Sequence, residues 1–300
     1  MNKPIIAIKV DVDTERGTRI GVPNLLNLFE ELEIPATFLF SLGPDNTGRA
    51  LKRIFKRGFL KKVSRTNVLK LYGIRTLLNG ILWPGPHIGK RHATIMRLVK
   101  EKGHETGIHC YDHTYWQDNI HNMTDKQVYT EFENACNEYY RIFNEIPQGA
   151  GAPGWQANTK SLFAYDKANL LYGSDTRGEY PFYPKIKNQM FKTLQIPTTL
   201  PTLDELLGLP EYPVNKLTSY YLQLLKTSAL NVFTTHAEIE GMSQINWFRE
   251  FLTQAKKEGI QFCTLATIAN NVLANSISIP VCHLIQGSIP GRSGHLAIQQ

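Results

Sequence analysis

The sequence predicts an α/β protein built as a single (β/α) barrel, and three observations carry that prediction. Short apolar runs alternate with helix-length segments about seven times, which is the pattern of parallel strands joined by right-handed crossovers. Residues able to do chemistry fall just after strands along the whole chain, as they do at the C-terminal rim of a barrel. The phosphate-loop glycines of a doubly wound sheet, the alternative arrangement, are missing. At 300 residues and 42% hydrophobic, the chain is long enough to bury one large core.

Residues 5–12 (IIAIKVDV) form the first strand and 23–32 the first helix. Residues 36–42, led in by Pro35, form the second strand, and a long basic insertion over 44–90 follows, with a Trp83-Pro84-Gly85-Pro86 turn. Residues 95–102 read as a helix stopped by Gly103, and 105–109 as the third strand. Thr124 caps a helix that runs to Phe143, with Asp125 in its first turn. Later strands are expected at 171–174, 194–197, 231–235 and 261–265, and a helix over 243–257 ends at Gly259. The stretch from Gly259 to Gly291 carries no Asp, Glu, Lys or Arg, but its Asn, Ser, Thr and Pro280 interrupt any membrane-spanning helix. No signal peptide precedes the first strand, so a cytoplasmic protein is expected. Cys110, Cys136, Cys263 and Cys282 show no CxxC spacing and read as inert thiols.

The net charge of +7 conceals an asymmetry. No acidic residue lies between Asp45 and Glu101, whereas fourteen Lys and Arg do, and the rest of the chain carries 19 basic against 26 acidic residues. In the densest part, 49–75, Leu51, Ile54, Phe55, Phe59 and Val63 recur as on one side of a helix, among Lys52, Arg53, Lys56, Arg57, Lys61 and Lys62. A basic amphipathic helix suits an anionic membrane surface, at roughly 1 kcal/mol per Lys or Arg near the headgroups. A solvated basic face on the barrel is the plainer alternative. No nucleic-acid-binding module accompanies the patch, so nucleic acid is not an expected partner.

Three clusters carry chemistry. Asp11 and Asp13 end the first strand; two apart, they project to the same face, where their repulsion calls for a cation. His109, which ends the third strand, and His113 stand at the i, i+4 spacing that lets two imidazoles share one face of a helical turn and close on a single metal. Two His and one carboxylate leave coordination positions open for water or a substrate oxygen. His236, at the end of a late strand, is a candidate proton donor. Taken singly, an Asp-x-Asp is often a turn and one His is often structural; a shared rim is what distinguishes them. Non-haem iron oxygenases also use two His and a carboxylate, but that class does not account for Asp11 beside the ligand.

In this order of motifs the chain resembles the polysaccharide deacetylase superfamily (NodB homology, carbohydrate esterase 4) over nearly its whole length. Longer strings resemble one branch of it. They are Asp11-Val12-Asp13-Thr14 with Arg16-Gly17-Thr18-Arg19, and residues 43–49, 196–205, 236–241 and 289–292. That branch deformylates 4-deoxy-4-formamido-L-arabinose phosphoundecaprenol in lipid A modification, which confers resistance to cationic peptides such as polymyxin. The resemblance implies a distorted (β/α)7-type barrel, the NodB-homology fold, in one catalytic domain over 1–300, with the basic insertion 44–90 facing the membrane.

It also implies one divalent metal (Zn, Mn, Co or Ni) on Asp13, His109 and His113, with Asp11 as general base and His236 protonating the leaving amine. Expected substrate-binding residues are Arg16, Arg19, Trp155, Asp175, Arg177 and Glu238, with Arg16 or Arg19 suited to the phosphate. One motif departs from the family pattern. The superfamily places an Arg after the fourth strand to steady the base, and here Gly151 stands there, so Asp175 or Arg177 are the candidates to orient Asp11. The implied partners are a polyprenyl-phosphate-linked sugar and the anionic cytoplasmic face of the inner membrane. A polysaccharide or peptidoglycan N-deacetylase and a non-catalytic membrane-surface protein are the competing expectations.

Overall fold

The computed structural model describes residues 4–50, 76–225, 230–275, 278–292 and 294–300. The amphipathic run at 51–63, and most of the basic insertion, lie outside the described residues. Eight parallel strands make the main sheet: β1 (Ile5–Val12), β2 (Thr37–Ser41), β3 (Glu105–Cys110), β4 (Gly149–Ala150), β5 (Tyr172–Gly173), β8 (Leu194–Gln195), β9 (Leu230–His236) and β10 (Gln261–Cys263). Seven of them run in the order β9-β1-β2-β3-β4-β5-β8. The chain after β8 then returns to β9, where the amides of Thr199 and Leu200 donate to the Val232 carbonyl and Thr199 Oγ1 accepts from the Val232 amide. The sheet thus curls until its ends meet, as the alternation of strands and helices predicts.

Its distortion is visible at β1. β9 takes one edge of this strand from residue 5 to residue 11. The other edge is divided: β10 pairs with residues 5–7 and β2 with residues 9–12.

The two faces of β1 belong to different cores. Ile6, Ile8, Val10 and Val12 point outward into the layer formed with α1 (Val22–Leu32) and α8 (Ile245–Lys257), among Leu25, Phe29, Phe248 and Phe251. On the inner face, Ala7 packs with Tyr172, Leu194 and Val232 and with Leu265 and Ile268 of α9 (Leu265–Ala274), which closes the base of the barrel. The remaining helices are α2 (Ile88–Glu101), α3 (His113–Asn119), α4 (Asp125–Phe143), α5 (Thr159–Ala168), α6 (Leu203–Leu206) and α7 (Val214–Leu225).

Thr124 opens α4 as predicted, in a reciprocal capping box with Gln127, and Asn144 ends it in the left-handed region at φ 56. α2 begins seven residues before the predicted 95, capped by His87 Nδ1 accepting from the Lys90 amide. Its first turns escape a periodicity reading because the backbone kinks at His92 (φ −123).

A second sheet was not expected from the sequence. β6 (Tyr183–Ile186), β7 (Gln189–Met190), β11 (Val281–Gly287) and β12 (Leu296–Gln299) lie in the order β12-β11-β6-β7. β12 ties it to the barrel: the Arg177 amide donates to Ala297 O and the Gln299 amide to Arg177 O, at 3.0 and 2.9 Å. The uncharged stretch 259–291 therefore forms β10, α9 and β11, and no helix among the described residues is long and apolar enough to cross a membrane.

Candidate active site

β1 delivers its odd-numbered side chains to the C-terminal rim. Lys9, Asp11 and Asp13 share one face, each about two strand rises further along. Asp11 pairs in register with His236 of β9, which sets the two chemistries side by side across adjacent strands. β3 ends at Cys110, and α3 begins at His113 after Asp112, whose Oδ1 caps the helix by accepting from the Tyr115 amide at 3.0 Å.

This corrects the expected origin of the histidine pair. His109 lies in the strand and His113 is the first helical residue, so the two do not share a helical face. The turn between strand and helix brings them together, with ring centroids 5.2 Å apart.

Asp13 Oδ1 lies 3.2 Å from His109 Nε2 and 3.5 Å from His113 Nε2. Ligand atoms of these three residues all fall within 4.8 Å of one another, a group that can hold a metal ion. The environment fits that use. Asp13 Oδ1 is buried and accepts no hydrogen bond among the described residues. His109 Nδ1 donates to Gly151 O at 2.6 Å, an outer contact that fixes the ring and points Nε2 at Asp13. Burial pushes the Asp13 carboxyl up, but His113 and His109 outweigh it and hold its pKa well below the usual carboxylate range. For His236, burial alone would depress the imidazole, while Asp204, Asp13, Glu240 and Asp11 reverse this and raise its pKa. His236 Nδ1 is buried and has no hydrogen-bond partner among the described residues.

The other expected site residues are distributed around this centre. Glu238 holds the turn after β1, its Oε1 accepting from the amides of Asp13 and Thr14 at 3.2 and 2.9 Å and from Thr14 Oγ1 at 2.7 Å. Burial, then the Asp13 charge, push the Glu238 carboxyl up to about 8. Gly17 is required beneath it, since a Cβ there would come 1.9 Å from Glu238 Oε1. Arg16 is half-buried in the same turn, whereas Arg19 is exposed and pairs with Glu15 at 3.2 Å.

Trp155 is buried, donates from Nε1 to Thr198 Oγ1 at 3.0 Å, and has three cations over its ring: Arg292, Arg177 and Lys9 at 4.3, 5.2 and 5.6 Å. Arg177 Nη1 forks onto both carboxylate oxygens of Glu205 at 2.7 and 3.0 Å. Asp175 accepts from the Ala152 amide, Tyr165 Oη and Gln195 Nε2, and burial raises it to about 6. Asp175 and Arg177 are thus engaged elsewhere, and the cation at Asp11 is Lys9, whose Nζ lies 3.7 Å from Asp11 Oδ2.

Lys9, Asp204, Glu205 and Arg292 were not singled out from the sequence. Asp204, Glu205 and Arg292 fall inside the family-like stretches 196–205 and 289–292, where no role was assigned to them, and Lys9 carries a signal of its own. A lysine two before Asp11 in an otherwise apolar run must share the face of both aspartates.

Comparison with known proteins adds to this geometry. Residues 1–173 match the family described as polysaccharide deacetylase. A protein of Shewanella sediminis named as a probable 4-deoxy-4-formamido-L-arabinose-phosphoundecaprenol deformylase, ArnD, is 36% identical over 98% of this chain and 94% of its own. One from Wigglesworthia glossinidia brevipalpis with the same name is 37% identical over 95% of this chain and 98% of its own. Among solved structures, a probable polysaccharide deacetylase from Pseudomonas aeruginosa PAO1 superposes with a TM-score of 0.62 at 14% identity, covering 92% of both chains.

Proposed function

This chain belongs to the polysaccharide deacetylase family, and on that premise we propose that it hydrolyses the N-formyl group of 4-deoxy-4-formamido-L-arabinose phosphoundecaprenol, giving formate and the free 4-amino sugar lipid. The observation that carries this reading is the joint placement of Asp11, Asp13, His109, His113 and His236 at one rim, in a chain aligned almost end to end with relatives named for that reaction.

Asp13, His109 and His113 would hold a divalent metal, which would supply Lewis acidity toward the formyl group and the attacking water. Zn, Mn, Co and Ni all suit this donor set. Asp11 takes the proton of the attacking water: its Oδ1 is buried, carries no hydrogen bond among the described residues, and sits beside the ligand cluster. As oxygen adds to the formyl carbon and the C–N bond breaks, His236 gives a proton to the departing amine nitrogen. The surrounding carboxylates that raise its pKa keep that proton available. Trp155, with Arg177 and Arg292 against its ring, and Arg16 and Arg19 on the turn after β1 are the groups offered to the sugar phosphate, while the buried Asp175 and Glu238 hold the surrounding backbone in place.

The substrate's lipid tail requires work at an anionic membrane surface, on the cytoplasmic face of the inner membrane. Two features support docking there. One is the run of basic residues without acidic ones between Asp45 and Glu101. The other is the consecutive Ile81, Leu82 and Trp83, which stand 50%, 66% and 44% exposed on a turn closed by the Gly80 amide donating to Trp83 O.

The deciding experiment measures formate from 4-formamido-arabinosyl phosphoprenol, with and without chelator, beside the N-acetyl counterpart. Chelator-sensitive formate with little acetate is expected. No formate with any of the four metals would overturn the reading.

A further inference from the structure

Lys9 is fully buried, at 0% exposure, and the chemistry assigned above does not use it. Taking an ammonium out of water is costly unless its partners repay it, so its place needs a cause. Its Nζ donates to Ser174 O at 2.9 Å, faces Asp11 Oδ2 at 3.7 Å and lies 5.6 Å from the Trp155 ring centre. Its backbone is fixed on both edges, by the pairings of Lys9 with Thr37 and with Thr234. The space around the ammonium exists because position 151 lacks a side chain. A Cβ there would stand 3.2 Å from Lys9 Nζ and 2.6 Å from Leu39 Cδ1. Asp11, by contrast, is held loosely. Among the described residues its Oδ1 has no hydrogen bond, its contact with His109 Nδ1 is 3.9 Å, and Lys9 is the one cation within ion-pair distance other than that imidazole.

We propose that Lys9 is the positioning residue for Asp11. Anchored on Ser174 O in the gap left by Gly151, its ammonium fixes the Asp11 carboxylate through Oδ2 and leaves Oδ1 aimed at the proton to be removed. This rests on Asp11 acting as the base. A plain structural role would have Lys9 only fill the lumen and balance the buried Asp175 and Asp11 charges.

The test compares wild type, K9M and K9R on two substrates, the lipid-linked formamide and a soluble activated aryl acetate, with calorimetric Mn²⁺ titration and thermal melting of each protein. K9M keeps the length without the charge. It is expected to lose about 10²-fold in kcat with KM and Mn²⁺ affinity unchanged, and K9R to regain most of the loss. In a D11N background, K9M is expected to add nothing further. A K9M enzyme with kcat within about threefold of wild type, or an equal loss with and without Asp11, overturns the proposal. If K9M does not accumulate folded, G151A carries the same comparison by crowding the ammonium while keeping Lys9. A loss that persists in the D11N background then overturns it. Wild-type protein that turns over the acetate but not the formamide overturns the substrate reading alone, and the acetate series still decides Lys9.

Discussion

The two faces of β1 are buried to a similar depth and are built from opposite chemistry. Outward, Ile6, Ile8, Val10 and Val12 enter the apolar layer between sheet and helices. Inward, Ala7, Lys9, Asp11 and Asp13 step from a dry base to a charged rim. The apolar face contributes to stability through area removed from water, and its members are interchangeable within volume limits. The charged face costs desolvation, repaid by fixed partners, and its members are not interchangeable. One strand therefore anchors the fold with alternate residues and holds the chemistry with those between them. The fold can place carboxylates accurately because their backbone is held by the strand's outer face and by β9, β2 and β10.

The comparison breaks most visibly if the inner face is altered. Asp13→Asn or His113→Ala is expected to lose metal affinity and at least about 10³-fold of turnover together, whereas Asp11→Asn keeps the metal and loses turnover. Calorimetric titration beside formate assays separates the two, and loss of metal from Asp11→Asn would contradict the division of roles. On the outer face, Ile8→Ala is expected to cost about 2–5 kcal/mol in urea unfolding while the folded fraction keeps its kcat. Chelation should sharpen the contrast further. Metal supplied at 100 times its Kd is expected to restore about 2.7 kcal/mol to wild type and nothing to Asp13→Asn.

A histidine away from the rim gives a smaller, pH-dependent effect. His104 lies against Phe29 and Phe38 and accepts the Ala36 amide through Nδ1. Burial, with Lys102 adding to it, lowers its pKa to about 4. The unfolded chain binds a proton near pH 6.5 that the folded one refuses, so stability is full above that pH and falls as pH drops towards 4. Unfolding of a His104→Asn variant across pH 4–7 should lack this slope. The smallest change belongs to Arg19→Ala, whose exposed pair with Glu15 is worth less than about 1 kcal/mol.

How much of this was legible follows from the length of each signal. β1, β2, β3, β9 and α4 have clear apolar periodicity or caps, and Asp11, Asp13, His109, His113 and His236 stand at their ends. The histidine pair was legible as a pair but not in its geometry, because i, i+4 spacing fits a helical face as well as a strand running into a helix. The second sheet was hidden for a different reason. β6 and β7 are four and two residues long, and β11 alternates exposed and buried positions within a stretch noted only for lacking charge. Such strands depend on partners almost a hundred residues away, as Val281 does on Tyr183, and local pattern carries no record of that. Lys9 was passed over as one polar residue in an apolar run, although the alternation that paired Asp11 with Asp13 also includes it.

The divided edge of β1 has a consequence during synthesis. β1 pairs over residues 5–11 with β9, which begins at residue 230, and its base is completed only by β10 at residue 261. At roughly 5–20 residues per second, translation leaves β1 without its main partner for on the order of 10–45 s. Throughout that interval Ile6, Ile8, Val10 and Val12 form a β-prone apolar row with an unpaired edge, the kind of segment that seeds aggregation. Lys9, Asp11 and Asp13 interleave that row with charge, the pattern that discourages edge-to-edge pairing of apolar strands.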